Sequence, residues 1–298
     1  MTVSTENELV VVTGASTGIG AASAREMARR GFHVLAGVRR ERDADAIRAS
    51  NVEPLILDIT DSDQIRALAR RVSEDPRRRR LRALVNNAAV QANVPVEVFG
   101  IDQWRDMFEV NLFGHVAVIQ ALLPTLIDSG GRVVNISSVG GKVAMATYGP
   151  YAGTKFALEA MSDALRREVA PHGVQVIVIE PGAVRTEMLE RAIASAHDLL
   201  AAMTPQQRRR YGALVHAVNA QAEASTKSGL PAEVAAAAIA KAITARRPRT
   251  RYTVGREAAL LPVMPLLPDR LLDRIFAAAL RPHLPKDNDQ LDSAPTRR

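Results

Sequence analysis

Apolar residues in this chain fall into short unbroken runs, separated by longer stretches in which they recur every three or four positions. The runs cover 9–12, 34–38, 52–57, 83–85, 132–136 and 174–179. None alternates with polar residues, which is the pattern of strands covered on both faces. Between them the three-and-four spacing predicts helices, first over 19–28 and then over 61–72, 102–127 and 151–170. The stretch 39–51 is polar and reads as a connecting segment. Strand and helix signals in alternation predict an α/β fold: a doubly wound parallel sheet of about seven strands, helices on both faces, joined by right-handed crossovers. Beyond Pro181 the rhythm changes. Residues 186–228 read as Ala-rich helix with polar interruptions, a small mobile lid. Pro231 opens a helix over 232–244, and a last strand is expected at 251–254. Residues 256–284 form an apolar C-terminal helical extension, broken by Pro262, Pro265 and Pro268 before a helical run over 269–280. The tail 285–298 has the composition of disorder. One domain is therefore expected over 1–255, followed by an extension and a tail.

Composition narrows the function. Of 298 residues, 47% are hydrophobic and 24% charged, as in ordinary soluble domains. A net charge of +7 invites a nucleic-acid reading. However, only five of the 39 basic residues are lysines, which with the abundant alanine points to coding bias rather than a designed surface. The arginine runs 77–80 and 208–210 read as solvated turns, and no aromatic residues interleave with them to stack on bases. No nucleic-acid partner is expected. With no cysteine, disulfides and thiolate chemistry are excluded. The six histidines show no metal-ligand spacing, so no metal is expected. The first apolar run is too short to span a bilayer and follows no basic region, so the expected location is cytoplasmic.

Two constellations carry chemistry. Thr13-Gly14-Ala15-Ser16-Thr17-Gly18-Ile19-Gly20 follows a strand and opens a helix. Glycines let such a turn approach a pyrophosphate, whose charge the helix N-terminus favours. Tyr151 and Lys155 stand four apart on a predicted helix, so they share a face. A cation beside a phenol favours the phenolate and would bring Tyr151 into useful acid–base range. Ser138 lies just beyond the strand 132–136, at the carboxyl edge of the sheet where ligands bind in such folds.

These motifs, in this order, resemble the classical short-chain dehydrogenases/reductases, over roughly residues 9–254 and on a Rossmann-type fold. The matching residues are the turn 13–20, Asn86-Asn87-Ala88-Ala89, Asn111, Ser138, Tyr151 with Lys155, and Pro181-Gly182 with Thr186 beyond. The resemblance implies that Tyr151 is the general acid in carbonyl reduction and the base in alcohol oxidation. It also implies that Ser138 hydrogen-bonds the substrate oxygen, that Lys155 lowers the tyrosine pKa and holds the nicotinamide ribose, and that Asn111 keeps a water linking Lys155 to a proton relay. Cofactor contacts are expected from Gly14, Ser16, Gly18, Ile19, Gly20, Arg39, Asp58, Ile59, Asn86, Ala88, Tyr151, Lys155, Pro181, Gly182, Val184 and Thr186. Ala89 departs from the usual glycine but removes no reactive group. Ser137 and Tyr148 have the wrong spacing for the catalytic roles and are read as supporting residues.

The end of the second strand decides between cofactors. Val38 stands where NAD-preferring members carry Asp, and Arg39 follows with a guanidinium suited to a 2′-phosphate. NADP(H) is expected, with NAD(H) as the alternative. The lid and extension are apolar, and the stretches 34–40, 111–114 and 179–186 look most like the hydroxysteroid and retinol dehydrogenase branch. A hydrophobic alcohol or ketone is thus the expected substrate; a 3-oxoacyl-thioester reductase and a noncatalytic NADP(H)-binding regulator are the alternatives. The resemblance also implies a homodimer or homotetramer through the helices 102–127 and 151–170. The stripe 260–280 reads as core or dimer interface, with a membrane contact, given Arg270, Arg274 and Arg281, as the weaker reading.

Overall fold

The computed structural model describes residues 7–255 and 263–285. Its strands are β1 (Glu8–Val12), β2 (His33–Val38), β3 (Val52–Ile56), β4 (Arg80–Asn86), β5 (Arg132–Ile136), β6 (Gln175–Pro181) and β7 (Arg251–Val254). They form one parallel sheet in the order β3-β2-β1-β4-β5-β6-β7. The order reverses between β1 and β4, which opens the crevice where doubly wound sheets bind ligands.

The uninterrupted apolar runs are explained by a core on each side of the sheet. Val10, Val12, Val34, Ala36, Ile177 and Ile179 point to one face, where α1 (Gly18–Arg29) and α9 (Ala232–Thr244) pack through Met27, Ile239 and Ile243. Leu9, Val11, Leu35, Val133 and Val176 point to the other, beneath α3 (Ser62–Ser73), α5 (Gly114–Ser129) and α6 (Gly149–Val169). Successive strand residues alternate faces, so both phases of each strand must be apolar. Each fully buried Leu or Ile contributes about 2 kcal/mol.

Arg132 is almost wholly buried, and its guanidinium donates to Ala242 O at 2.5 Å, Ile243 O at 2.7 Å and Ala245 O at 2.7 Å. Arg82 adds a bond to Ile243 O at 2.9 Å. The orphan carbonyls at the end of α9 are thereby capped. Burial, then the neighbouring Arg82, pulls the Arg132 pKa down to about 10.

Several expectations need correction. The polar stretch after β2 contains α2 (Glu41–Ile47), whose contribution to the core is only Ala44 and Ile47. The helix around Asn111 is not uniform. It runs as α4 (Ile101–Phe108), a π-helical turn (Glu109–Phe113) and then α5. The run Ile101–Ser129 is long and apolar enough to cross a membrane by length and composition, yet its apolar side lies against α3 and β4 as a core helix. The lid region is two helices, α7 (Glu187–Ala202) and α8 (Pro205–Ser228), the second opened by a Thr204/Gln207 capping box. The arginine runs are not simply solvated. Arg79 is buried on Asp75 at 3.0 Å, Arg80 opens β4, and Arg210 lies within α8 and pairs with Glu97 at 2.8 Å. The expected helical extension yields α10 (Asp269–Leu280), while its first part and the tail 286–298 lie outside the described residues.

Candidate active site

The turn after β1 is held by hydrogen bonds that the sequence did not reveal. Thr13 Oγ1 accepts the N–H groups of Asn87 and Ala88 at 3.0 and 3.1 Å, and Asn87 Nδ2 donates to the Thr13 and Gly14 carbonyls, both at 3.0 Å. The end of β4 is thus tied to the end of β1. Gly14 and Gly18 adopt left-handed φ values of +64° and +55°. A Cβ on Gly14 would lie 2.7 Å from Ala88 Cα, and one on Gly20 would lie 2.2 Å from the Gly14 carbonyl oxygen. Only glycine permits this cradle.

Immediately beyond it, the N-terminus of α1 offers N–H groups that have no intrahelical acceptor. The turn opens on a cleft of about 500 Å³ lined by Ser16, Thr17, Gly18, Arg25, Arg185 and Thr186 among others. Thr186 precedes α7, with its Cγ2 3.0 Å from where a Gly18 Cβ would stand. The bare Gly-rich floor and the helix N-terminus fit a dinucleotide pyrophosphate, with Arg25 and Arg185 offset in the lining by Glu187, Glu190 and Glu233.

The remaining expected cofactor residues lie at or just beyond the carboxyl ends of strands β2, β3, β4 and β6. Arg39 is exposed just beyond β2, and Val38 is buried. Asp58 accepts from the Thr60 amide and hydroxyl, and the backbone of Ile59 packs so closely on Gly114 that a Cβ there would lie 2.7 Å from Ile59 O. Gly182 N–H binds Val254 O at 2.7 Å, and Val184 is buried beside its bridge partner Leu230. Asn86 lies deeper than expected. Its Nδ2 donates to Asn135 Oδ1 at 3.0 Å, inside the sheet.

Ser138 stands two residues past β5, where its Oγ accepts the Gly140 N–H at 3.0 Å. Ser138 and Tyr151 converge on Gly140: a Cβ there would lie 3.5 Å from both Ser138 Oγ and Tyr151 Cε1. Lys155, one turn along α6, is buried and donates from Nζ to Ile136 O at 2.9 Å, with Nζ 5.7 Å from the centre of the Tyr151 ring. Here the electrostatics differ from the sequence expectation. Burial pushes the Tyr151 phenol up to about 12, against the hydrogen bond from Ser138. Burial likewise pulls Lys155 down to about 8, partly offset by the Glu159 carboxylate. Within the protein's own residues Tyr151 therefore keeps its proton at neutral pH.

Asn111 occupies the π-turn. Its Oδ1 accepts Val90 N–H at 2.8 Å, and its Nδ2 donates to Val90 O at 2.8 Å and Thr154 Oγ1 at 3.1 Å. Both Nδ2 hydrogens are thereby used, while Oδ1 accepts one bond. The sequence reading missed His115, one turn further on. Its Nε2 lies 2.7 Å from Ala88 O and therefore carries the ring proton, while buried Nδ1 lacks a partner. Burial, then the Lys155 charge, drives its pKa down to about 3, so the ring is neutral. The spacing of four from Asn111 was the available signal.

Helices α7 and α8 are fastened to the loop before α4. Val98 packs against Ala196, Met203 and Val215, and Glu97 accepts from Arg210 at 2.8 Å and Tyr211 at 2.7 Å. Among the described residues no cluster of His, Cys, Asp or Glu could hold a metal.

Comparison with known proteins agrees with this arrangement. The family model for short chain dehydrogenase matches residues 8–196. An NADPH-dependent 3-dehydrocapnine reductase of Ornithobacterium rhinotracheale is 33% identical over 91% of this chain and 96% of its own. Retinol dehydrogenase 5 of Mus musculus is 34% identical, over 90% of this chain and 87% of that one. Among solved structures, a short-chain dehydrogenase from Streptomyces avermitilis superposes with a TM-score of 0.72 at 30% identity, covering 92% of this chain and 95% of its own. The glycine cradle, the Ser138–Tyr151–Lys155 edge and these likenesses together make the chain an oxidoreductase of the short-chain dehydrogenase/reductase family, on its hydroxysteroid and retinol dehydrogenase-like side.

Proposed function

We propose that the chain is an NADP(H)-dependent reductase that converts a hydrophobic ketone or aldehyde to the alcohol, and runs the reverse oxidation when supplied with the alcohol. The observation that carries this reading is the convergence of Ser138 and Tyr151 on Gly140, with the buried phenol of Tyr151 holding its proton. A phenol that keeps its proton is suited to give it to a carbonyl oxygen. Ser138 donates a hydrogen bond to that oxygen, which polarises the carbonyl and directs it toward Tyr151. Lys155, anchored on Ile136 O, holds the ribose of the cofactor and carries a charge that stabilises the phenolate left behind. When bound, the nicotinamide cofactor supplies the hydride. Gly14, Ser16, Gly18, Ile19 and Gly20 hold its pyrophosphate, with Ala88, Pro181, Gly182, Val184 and Thr186 around its nicotinamide half and Asp58 and Ile59 around the adenine.

Exposed Arg39, with no carboxylate at position 38, supports NADP(H) over NAD(H). The named activity of the 3-dehydrocapnine reductase supports both the cofactor and the reductive direction. The named activity of the similar retinol dehydrogenase 5 supports a hydrophobic substrate. The catalytic unit spans 1–255, with 186–228 as its lid. Exposed Phe113 and Phe156, on the α5 and α6 side, support pairing of subunits through those helices. A cofactor-consumption screen with steroids, retinoids, aliphatic ketones and acyl thioesters, run with NADPH and NADH, tests the proposal. Turnover of apolar ketones with NADPH is expected. Turnover of acyl thioesters alone would favour the 3-oxoacyl-thioester reductase, and no turnover with any carbonyl would favour a noncatalytic regulator.

A further inference from the structure

Behind Ser138, Tyr151 and Lys155 lies an ionic cluster that the proposed chemistry does not use. Glu159 on α6 and Glu180 on β6 are buried, their side chains only 6% and 4% exposed. Arg251 of β7 lies 3.0 Å from Glu159 Oε2, 3.0 Å from Asp163 Oδ1 and 3.4 Å from Glu180 Oε1. Lys142 supplies a second cation, with Nζ 3.1 Å from Glu159 Oε2 and 3.7 Å from Glu180 Oε1. Thr253 Oγ1 donates to Glu180 Oε2 at 2.7 Å. Burying two carboxylates is costly unless cations and donors replace the lost water. Arg251 links elements that already pair or pack, because β7 is hydrogen-bonded to β6 and α6 lies on β6. Lys142 reaches the cluster from a segment with far less holding it.

That segment is the 3-10 turn Val139–Gly141, which Ser138 opens as N-cap and Lys142 closes. Gly140 and Gly141 follow one another in it, and glycine lends a backbone little stiffness. The turn must nevertheless lie hard against α6. A Cβ on Gly141 would stand 2.5 Å from Ser137 Oγ and 3.2 Å from Lys155 O. The two glycines offer no side chain to grip the helix, whereas Lys142 reaches Glu159 one turn beyond Lys155. We propose that Lys142 is a positioning residue: its ion pairs with Glu159 and Glu180 fix the Ser138 turn against α6 and so keep the Ser138 hydroxyl at Tyr151. This role rests on the proposed parts of Ser138 and Tyr151 in the reduction. The glycine cradle stands on other elements, β1 and α1, so loss of the tie should lower turnover and leave cofactor affinity in place.

Lys142→Met and Arg251→Gln form a matched pair, since each removes a cation from Glu159 but only Lys142 belongs to the Ser138 turn. Hydrogen exchange read by mass spectrometry follows the turn without reference to turnover, because the N–H groups of Gly140, Gly141, Lys142 and Val143 are all hydrogen-bonded there. In Lys142→Met these amides are expected to exchange about tenfold faster, in Arg251→Gln at the wild-type rate, and Lys142→Arg should restore protection. In steady-state reduction of an apolar ketone, Lys142→Met should lower kcat about tenfold and leave the KM for NADPH within about twofold. Arg251→Gln should leave kcat unchanged, and Lys142→Arg should recover most of it. Thermal unfolding checks that the variants fold; Lys142→Gln replaces Lys142→Met, and Asp163→Asn replaces Arg251→Gln, where either does not. Unchanged exchange in a folded Lys142 variant, equal loosening in the Arg251 variant, or a loosened turn with wild-type kcat overturns the proposal. If the wild-type protein reduces no carbonyl, the functional reading fails by itself, and the exchange rates alone uphold or overturn the anchoring by Lys142.

Discussion

Gly14 and Gly130 provide a matched pair for testing whether the cofactor cradle depends on close backbone approach. Their φ angles are nearly equal, +64° and +61°. Alanine at either position bears the left-handed cost of about 1–2 kcal/mol. At Gly130, the C-cap of α5, an added Cβ meets nothing within 4 Å, so Gly130→Ala should cost only that. At Gly14 the Cβ meets Ala88 Cα at 2.7 Å and Ala88 N at 3.0 Å. Ala88 cannot easily retreat, because its N–H is held by Thr13 Oγ1 and its carbonyl by His115. Overpacking adds about 1–3 kcal/mol, so Gly14→Ala should lose about 2–5 kcal/mol in all. The displaced turn should weaken NADPH binding about tenfold or more, roughly 1.4 kcal/mol, while Gly130→Ala leaves it unchanged. Urea unfolding and NADPH fluorescence titration of both variants measure these differences. Equal stability losses with equal cofactor affinities would refute the claim that the Gly14–Ala88 contact shapes the site.

Three further expectations follow from individual side chains. Arg39→Glu removes the proposed 2′-phosphate partner and places a carboxylate near it; the KM for NADPH should rise about 10- to 100-fold while that for NADH changes little, as steady-state kinetics would register. Burial raises the Asp75 pKa, but the Arg79 N–H and the Arg71 and Arg79 guanidinium groups together hold it at about 2, below its unfolded value of about 3.9. Its stabilising contribution should be complete above about pH 4 and be lost as pH falls through about 2; Asp75→Asn should flatten that part of the pH–stability curve and cost about 3 kcal/mol at neutral pH. Asn111→Ala removes the partner of both half-buried Val90 backbone groups, and its urea midpoint should reflect a loss of about 1–2 kcal/mol.

What could be read from the sequence was what depends on local pattern. Runs such as 132–136 had to be strands because both faces of the sheet are covered, and β5 and β7 have the expected bounds. The glycine turn and the Tyr151–Lys155 spacing were legible because each follows from a local backbone geometry. Long-range partners were not legible. Nothing around Arg79 announces that it turns inward onto Asp75, and Arg132 looked like a strand residue rather than the cap of a helix 110 positions away. The π-turn at Asn111 arises from tertiary clasping of Val90, which no apolar period records. The burial of the phenol was not legible either. Spacing placed a lysine near Tyr151, but no local pattern records the burial that raises the phenol's pKa.

Every step of the proposed reduction depends on Tyr151 as the proton donor to a carbonyl. Its most direct test is single-turnover oxidation of prebound NADPH by an apolar ketone, comparing the wild-type protein with Tyr151→Phe after fluorescence titration has shown that both bind the cofactor equally. The wild-type protein is expected to oxidise NADPH at least about 100-fold faster than the variant. Equal rates in the two proteins would contradict the assignment.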